Sequence, residues 1–135
     1  MNTKTPAFSN KPLPDSELIT DTARVARLLD RLAKHHSLLT VVMPGQPDAF
    51  TSSVVEVAEP HVLLDELLPN SGHPLLLAQK KLQATGKLEG IDIRFVSELD
   101  AFDDQDGMVT YRVRLPASLE YRQRRSDFRA HIPIS

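Results

Sequence analysis

Two stretches decide the fold: Gly90-Ile-Asp-Ile-Arg-Phe95 and Val109-Thr-Tyr-Arg-Val-Arg-Leu115. In the first, Ile91, Ile93 and Phe95 alternate with Asp92 and Arg94. In the second, Val109, Tyr111, Val113 and Leu115 alternate with Thr110, Arg112 and Arg114. Successive side chains on a strand point to opposite faces, so this period of two marks half-buried antiparallel strands. Asp103-Asp-Gln-Asp-Gly107 lies between them and closes on Asp-Gly, a hairpin signal.

Shorter β-type runs lie upstream. Leu38–Met43 ends at the turn signal Pro44-Gly-Gln-Pro47. Phe50–Ala58 is rich in β-branched and hydroxyl residues, and its alternation slips at Val54-Val55, which predicts a bulge. Glu59-Pro60 ends it. His61–Leu68 fits strand or helix by pattern; its length and the prolines around it favour strand. Pro69–Pro74 reads as a loop, Leu75–Leu82 stays open between helical turn and strand, and Gly86 and Gly90 read as turn residues. Asp21 to His36 has a different period. Val25, Leu28, Leu29 and Leu32 recur at helical spacing, with Asp15 or Asp21 as the cap. Arg24, Arg27, Arg31 and Lys34 form a second face, which fits a solvated helix side. The pattern therefore predicts a mainly β domain, a small barrel or sandwich behind an N-terminal helix, over residues 21–116. Residues 1–20 read as a disordered arm, with three prolines among the first 14. Residues 117–135 read as a linker leading away from the barrel, cut before a further domain.

The chain has 135 residues and a net charge of −2, with 41% hydrophobic and 25% charged residues. These are the proportions of one water-soluble globular domain. There is no cysteine, which removes disulfides, thiolate metal sites and thiol nucleophiles and fits a reducing compartment. No signal-peptide pattern opens the chain, and no apolar run approaches the roughly 20 residues that span a bilayer. Adjacent His35 and His36 point apart on a helix, so they make a poor metal pair. Ser71 and His73 have no carboxylate close in sequence to orient them. Asp100, Asp103, Asp104 and Asp106 lack the spacing of a calcium loop, and Asp65-Glu66 face opposite sides of a strand. Nothing in these residues supports catalysis, a metal or a cofactor.

Charge is unevenly distributed. Residues 1–120 hold 12 Lys+Arg against 17 Asp+Glu, whereas residues 121–135 hold 4 Arg against 1 Asp. That segment reads Tyr121-Arg-Gln-Arg-Arg-Ser-Asp-Phe-Arg129. No core requires such a cluster. Guanidinium forks fit phosphate and the Hoogsteen edge of guanine, so a small anionic ligand is expected. A nucleic-acid or protein interaction module with a basic tail is the alternative, but only Tyr121 and Phe128 are close enough to stack on bases.

Arg125-Ser-Asp-Phe-Arg129 matches R-x-x-x-R and follows Arg124. It resembles the first half of the cyclic di-GMP signature of PilZ domains. The longer Tyr-x-Gln-Arg-Arg-x-x-Phe-Arg context, with Leu38–Val41, Phe50–Val54, Leu63–Leu67, Gly90–Phe95 and Gly107–Arg112 upstream, is similar to the YcgR-type flagellar brake proteins over about residues 20–135. The resemblance implies a six-stranded split barrel, related to PilZ and flavin-binding split barrels. It implies a cytoplasmic, non-enzymatic regulator at the flagellar basal body. Arg124, Arg125 and Arg129 would grip cyclic di-GMP together with a C-terminal PilZ domain of the same polypeptide, while the N-terminal domain meets stator or switch proteins of the motor. Neither membrane insertion nor a nucleic-acid polymer is implied. The second PilZ signature, Asp/Asn-x-Ser-x-x-Gly, is absent from the 135 residues, which implies that a PilZ barrel follows.

Overall fold

A computed structural model describes residues 8–123. The elements run β1 (Glu17–Ile19), α1 (Thr22–Lys34), β2 (Leu38–Val42), β3 (Ala49–Ala58), β4 (His61–Asp65), α2 (Gly72–Gln79), β5 (Lys81–Leu88), β6 (Ile91–Gln105), β7 (Met108–Arg114) and β8 (Leu119–Gln123). All pairings are antiparallel. The order β6-β5-β2-β3-β4-β7 closes on itself because β6 also pairs β7, giving a ring of six strands. The expected six-stranded barrel is thus present, and β8 and β1 extend it outward from β6.

One strand makes the ring possible. β6 is 15 residues long. Its first half pairs β5 and its second half pairs β7, with a register shift between Leu99 and Ala101. A bulge bends and twists a strand, which lets one chain segment serve two sheets. The second bulge falls between Val54 and Glu56 on β3, where the alternation slips in the sequence. The Asp106-Gly107 turn has positive φ at both residues (54° and 81°), the conformation a two-residue hairpin of matching twist requires.

The apolar residues of the alternation turn inward, as their spacing predicts. Ile93, Phe95, Tyr111 and Val113 are buried, together with Leu39, Val41, Phe50, Val62, Leu64, Leu82 and Ala84. Helix α1 lays Val25, Leu28, Leu29 and Leu32 on this core, against β3 and β5. Asp21 occupies its N-cap position but makes no side-chain cap bond. At the other end His36 is left-handed (φ 52°), and the Ser37 amide donates to the Leu32 carbonyl at 3.1 Å. That is the reversed bond of a Schellman ending, with histidine where glycine is usual.

Four expectations are corrected. The strand expected over His61–Leu68 stops at Asp65; Leu68 then bridges back to Thr51 through two 2.9 Å backbone bonds. The expected loop Pro69–Pro74 and the open segment after it contain helix α2, and β5 starts only at Lys81. Gly86 is not a turn residue. It lies within β5, where an added Cβ would meet Leu39 Cδ2 at 2.8 Å and would have to displace that buried side-chain end. Finally, the segment after Pro116 does not leave the barrel at once: Leu119–Gln123 forms β8, and Glu17–Ile19, within the expected arm, forms β1 beside it.

Candidate functional site

The arginine-rich segment enters the fold through β8. Its register on β6 sets Asp92 opposite Arg122 and Arg94 opposite Glu120. The two strands therefore carry opposite charges in complementary order, Asp-x-Arg facing Glu-x-Arg, and such directly opposed pairs are the unit of cross-strand stabilisation. Arg122 donates to Asp92 Oδ2 from Nε at 3.1 Å and from Nη2 at 2.8 Å. Arg94 Nη2 lies 2.8 Å from Glu120 Oε1. These groups are not on a solvated face. Asp92 is 4% exposed and the Arg94 side chain 11%. Charges so far out of water persist only when paired.

What covers them is the N-terminal arm. The Ser9 amide donates to Gln83 Oε1 at 3.2 Å and Gln83 Nε2 donates to the Ser9 carbonyl at 2.8 Å. Arg94 Nη2 donates to the Lys11 carbonyl, the Leu13 amide donates to Glu120 Oε1 at 3.0 Å, and Arg122 Nη1 reaches the Pro14 carbonyl at 3.4 Å. A cavity of about 270 Å³ lies beside this network, lined by Gln83, Arg94, Ser118 and Glu120 among others. Arg24 of α1 stands 5.6 Å from the Tyr121 ring centre, a cation–π contact on the same strand.

Of the arginines singled out in the sequence, Arg124, Arg125 and Arg129 lie outside the described residues. Arg122 belongs to the fold, paired with Asp92 across the β6–β8 register. Sequence patterning missed Gln83, Asp92, Arg94 and Glu120 as partners. The signal was present in the complementary charge order of residues 92–94 and 120–122, which only a β6–β8 pairing makes meaningful.

Several other polar groups are engaged elsewhere. His73 Nδ1 is 2.7 Å from the Tyr111 hydroxyl, and its ring stands edge-on to Phe102. Burial, with the Glu66 carboxylate nearby, pushes the Tyr111 hydroxyl up to about 12. Asp100 meets His61 at 2.9 Å and Arg114 at 3.0 Å, and Asp103 meets Arg112 at 3.2 Å. Among the described residues no group of three or more His, Asp or Glu is placed to hold a metal ion, and no helix is long and apolar enough to cross a membrane.

The fold thus defines the chain first as a six-stranded barrel module whose last strand carries a basic segment. Residues 18–121 match the family model described as "Flagellar regulator YcgR, PilZN domain". The chain belongs to that family. It is 26% identical over 136 residues to the flagellar brake protein YcgR of Thioalkalivibrio sulfidiphilus, covering 97% of this chain and 55% of the relative. It is 29% identical over 120 residues to the YcgR of Xanthomonas campestris pv. campestris, covering 87% and 45%. The chain therefore spans about half the length of these curated relatives. Among solved structures it is similar to the isolated YcgR-N domain of Escherichia coli, with a TM-score of 0.68 at 16% identity, covering 77% of this chain and 93% of that one. It is also similar to Escherichia coli YcgR in complex with c-di-GMP, with a TM-score of 0.70 at 18% identity, covering 79% and 46%.

Proposed function

We propose that this chain is the N-terminal domain and linker of a cyclic di-GMP-responsive flagellar brake. Arg124, Arg125 and Arg129 grip the ligand together with a PilZ barrel on the same polypeptide, and the domain offers its surface to a stator or switch protein of the motor at the basal body, on the cytoplasmic side. It acts as a regulator and not as an enzyme. One observation carries the proposal: β8 is hydrogen-bonded into the sheet through Gln123, and the R-x-x-x-R arginines follow directly in sequence. The family match and the brake names of the half-length relatives support it. The chemistry is that of paired forks. The ligand presents two phosphates and two guanine edges, each a bidentate target for arginine. Binding that joins linker and second barrel shifts the population of their relative orientations, a hinge-type change.

The test is calorimetry on the protein extended through its PilZ barrel. Arg125→Ala and Arg129→Ala should each weaken cyclic di-GMP binding at least roughly tenfold, since a charged hydrogen bond contributes about 1.5–3 kcal/mol. Arg27→Ala, on α1, should bind as the parent does. Undiminished affinity in both linker variants would overturn the assignment.

A further inference from the structure

The contacts over β5, β6 and β8 share a property: side chains on the sheet read the backbone of the arm. Gln83 takes both the amide and the carbonyl of Ser9, Arg94 takes the carbonyl of Lys11, Glu120 takes the amide of Leu13, and Arg122 takes the carbonyl of Pro14. Residues 9, 11, 13 and 14 each offer a backbone group to the sheet, along a segment that bends at 10–11 and turns at 14–15. Three of the four reading residues are themselves held: Arg94 by Glu120, and Arg122 by Asp92. Gln83 is 3% exposed, so its amide is satisfied largely by the arm it holds. The arm then continues into β1, which pairs β8 from Glu17↔Tyr121 to Ile19↔Leu119. The strand that launches the arginine segment is therefore enclosed by β6 on one side, β1 on the other and the arm through Glu120 and Arg122.

We infer that residues 8–14 form a strap, seated in a backbone-reading groove, that holds the root of the arginine segment in the sheet. With the strap seated, the hinge begins after Gln123. With the strap lifted, Glu120 and Arg122 each lose a partner and the hinge can begin as early as Leu119, which lengthens the free linker by five residues. The strap thus sets how tightly the orientation of a ligand-bound barrel is transmitted to this domain. That consequence rests on the proposed function; the strap itself does not.

Because the groove reads backbone, proline substitution is the appropriate probe. Ser9→Pro and Leu13→Pro each delete one donated amide without altering any residue of the ring. Amide hydrogen exchange of the 135-residue chain carrying both changes, with no ligand present, should show roughly tenfold faster exchange at Leu119–Gln123 and unchanged protection at Val62–Leu64 and Tyr111–Val113. Gln83→Ala should reproduce the β8 effect. Unchanged exchange across β8 in both proteins overturns the strap, as does uniform loss of protection throughout the ring in the proline variant. Since cyclic di-GMP is absent from the experiment, failure of the ligand assignment leaves the result unaffected.

Discussion

Asp92 and Arg94 stand two residues apart on one strand, and each hides a charge that meets an opposite charge arriving from β8. In the sequence both belong to the polar phase of a clean alternation, the phase that normally meets water. Their partners lie about 30 residues away, and one of them, Arg122, sits inside a segment whose four arginines read as one basic cluster. Local pattern cannot divide such a cluster; the register assigns Arg122 to the sheet, and 124, 125 and 129 lie outside the described residues. Truncating Arg122 to alanine removes a two-bond guanidinium partner from a buried carboxylate. Breaking a fully buried pair costs about 3–5 kcal/mol. Because the Arg122 side chain is 29% exposed, a cost of about 2 kcal/mol is expected, read as a lower urea midpoint with unchanged slope. A change within about 0.5 kcal/mol, ordinary for surface positions, would mean that Asp92 does not depend on Arg122.

Elements with a long, consistent period were legible: α1, β3, the start of β6, and β7. The second half of β6 was not. Residues 100–106 look like an acidic loop, yet the strand runs through them to Gln105 because Arg112 and Arg114 on β7, with His61 on β4, answer their charges. Helix α2 is undecided in the sequence over Leu75–Leu82, and its first turn reads as loop, because its apolar residues form no stripe; of its leucines only Leu76 is fully buried, and the helix is seated by Gly72 against Phe50 and Leu67. β1, at three residues, is too short for any pattern and exists through its partner β8. The β6–β7–β4 junction has a pH signature. The hydrogen bond from His61, then that from Arg114, holds the Asp100 carboxyl below its ordinary 3.8. A depressed carboxylate contributes stability at pH above its unfolded value, and the contribution disappears as pH falls through the folded value. Asp100→Asn should therefore be less stable than the parent near pH 7, and the gap should close as pH falls below the ordinary carboxylate range. A constant gap across that range, in urea titrations, would show that the contact does not depend on the carboxylate charge.

At the scale of the molecule, a closed ring with two added strands makes a complete core out of a chain half as long as its curated relatives. The 135 residues contain the R-x-x-x-R arginines but not the Ser/Gly signature of a PilZ barrel. Alone, the chain should bind cyclic di-GMP at least roughly a hundredfold more weakly than the extended protein, as expected when two or more charged hydrogen bonds are missing. Equal affinity in the two, measured by calorimetry, would place the whole binding site within this chain. The order of the sheet has one more consequence. β8 would be an open edge beside β6, long enough to recruit a strand from another molecule, but β1 lies along it and presents only three residues outward, beginning with Glu17. So short a border, headed by Glu17, is a poor template for intermolecular pairing.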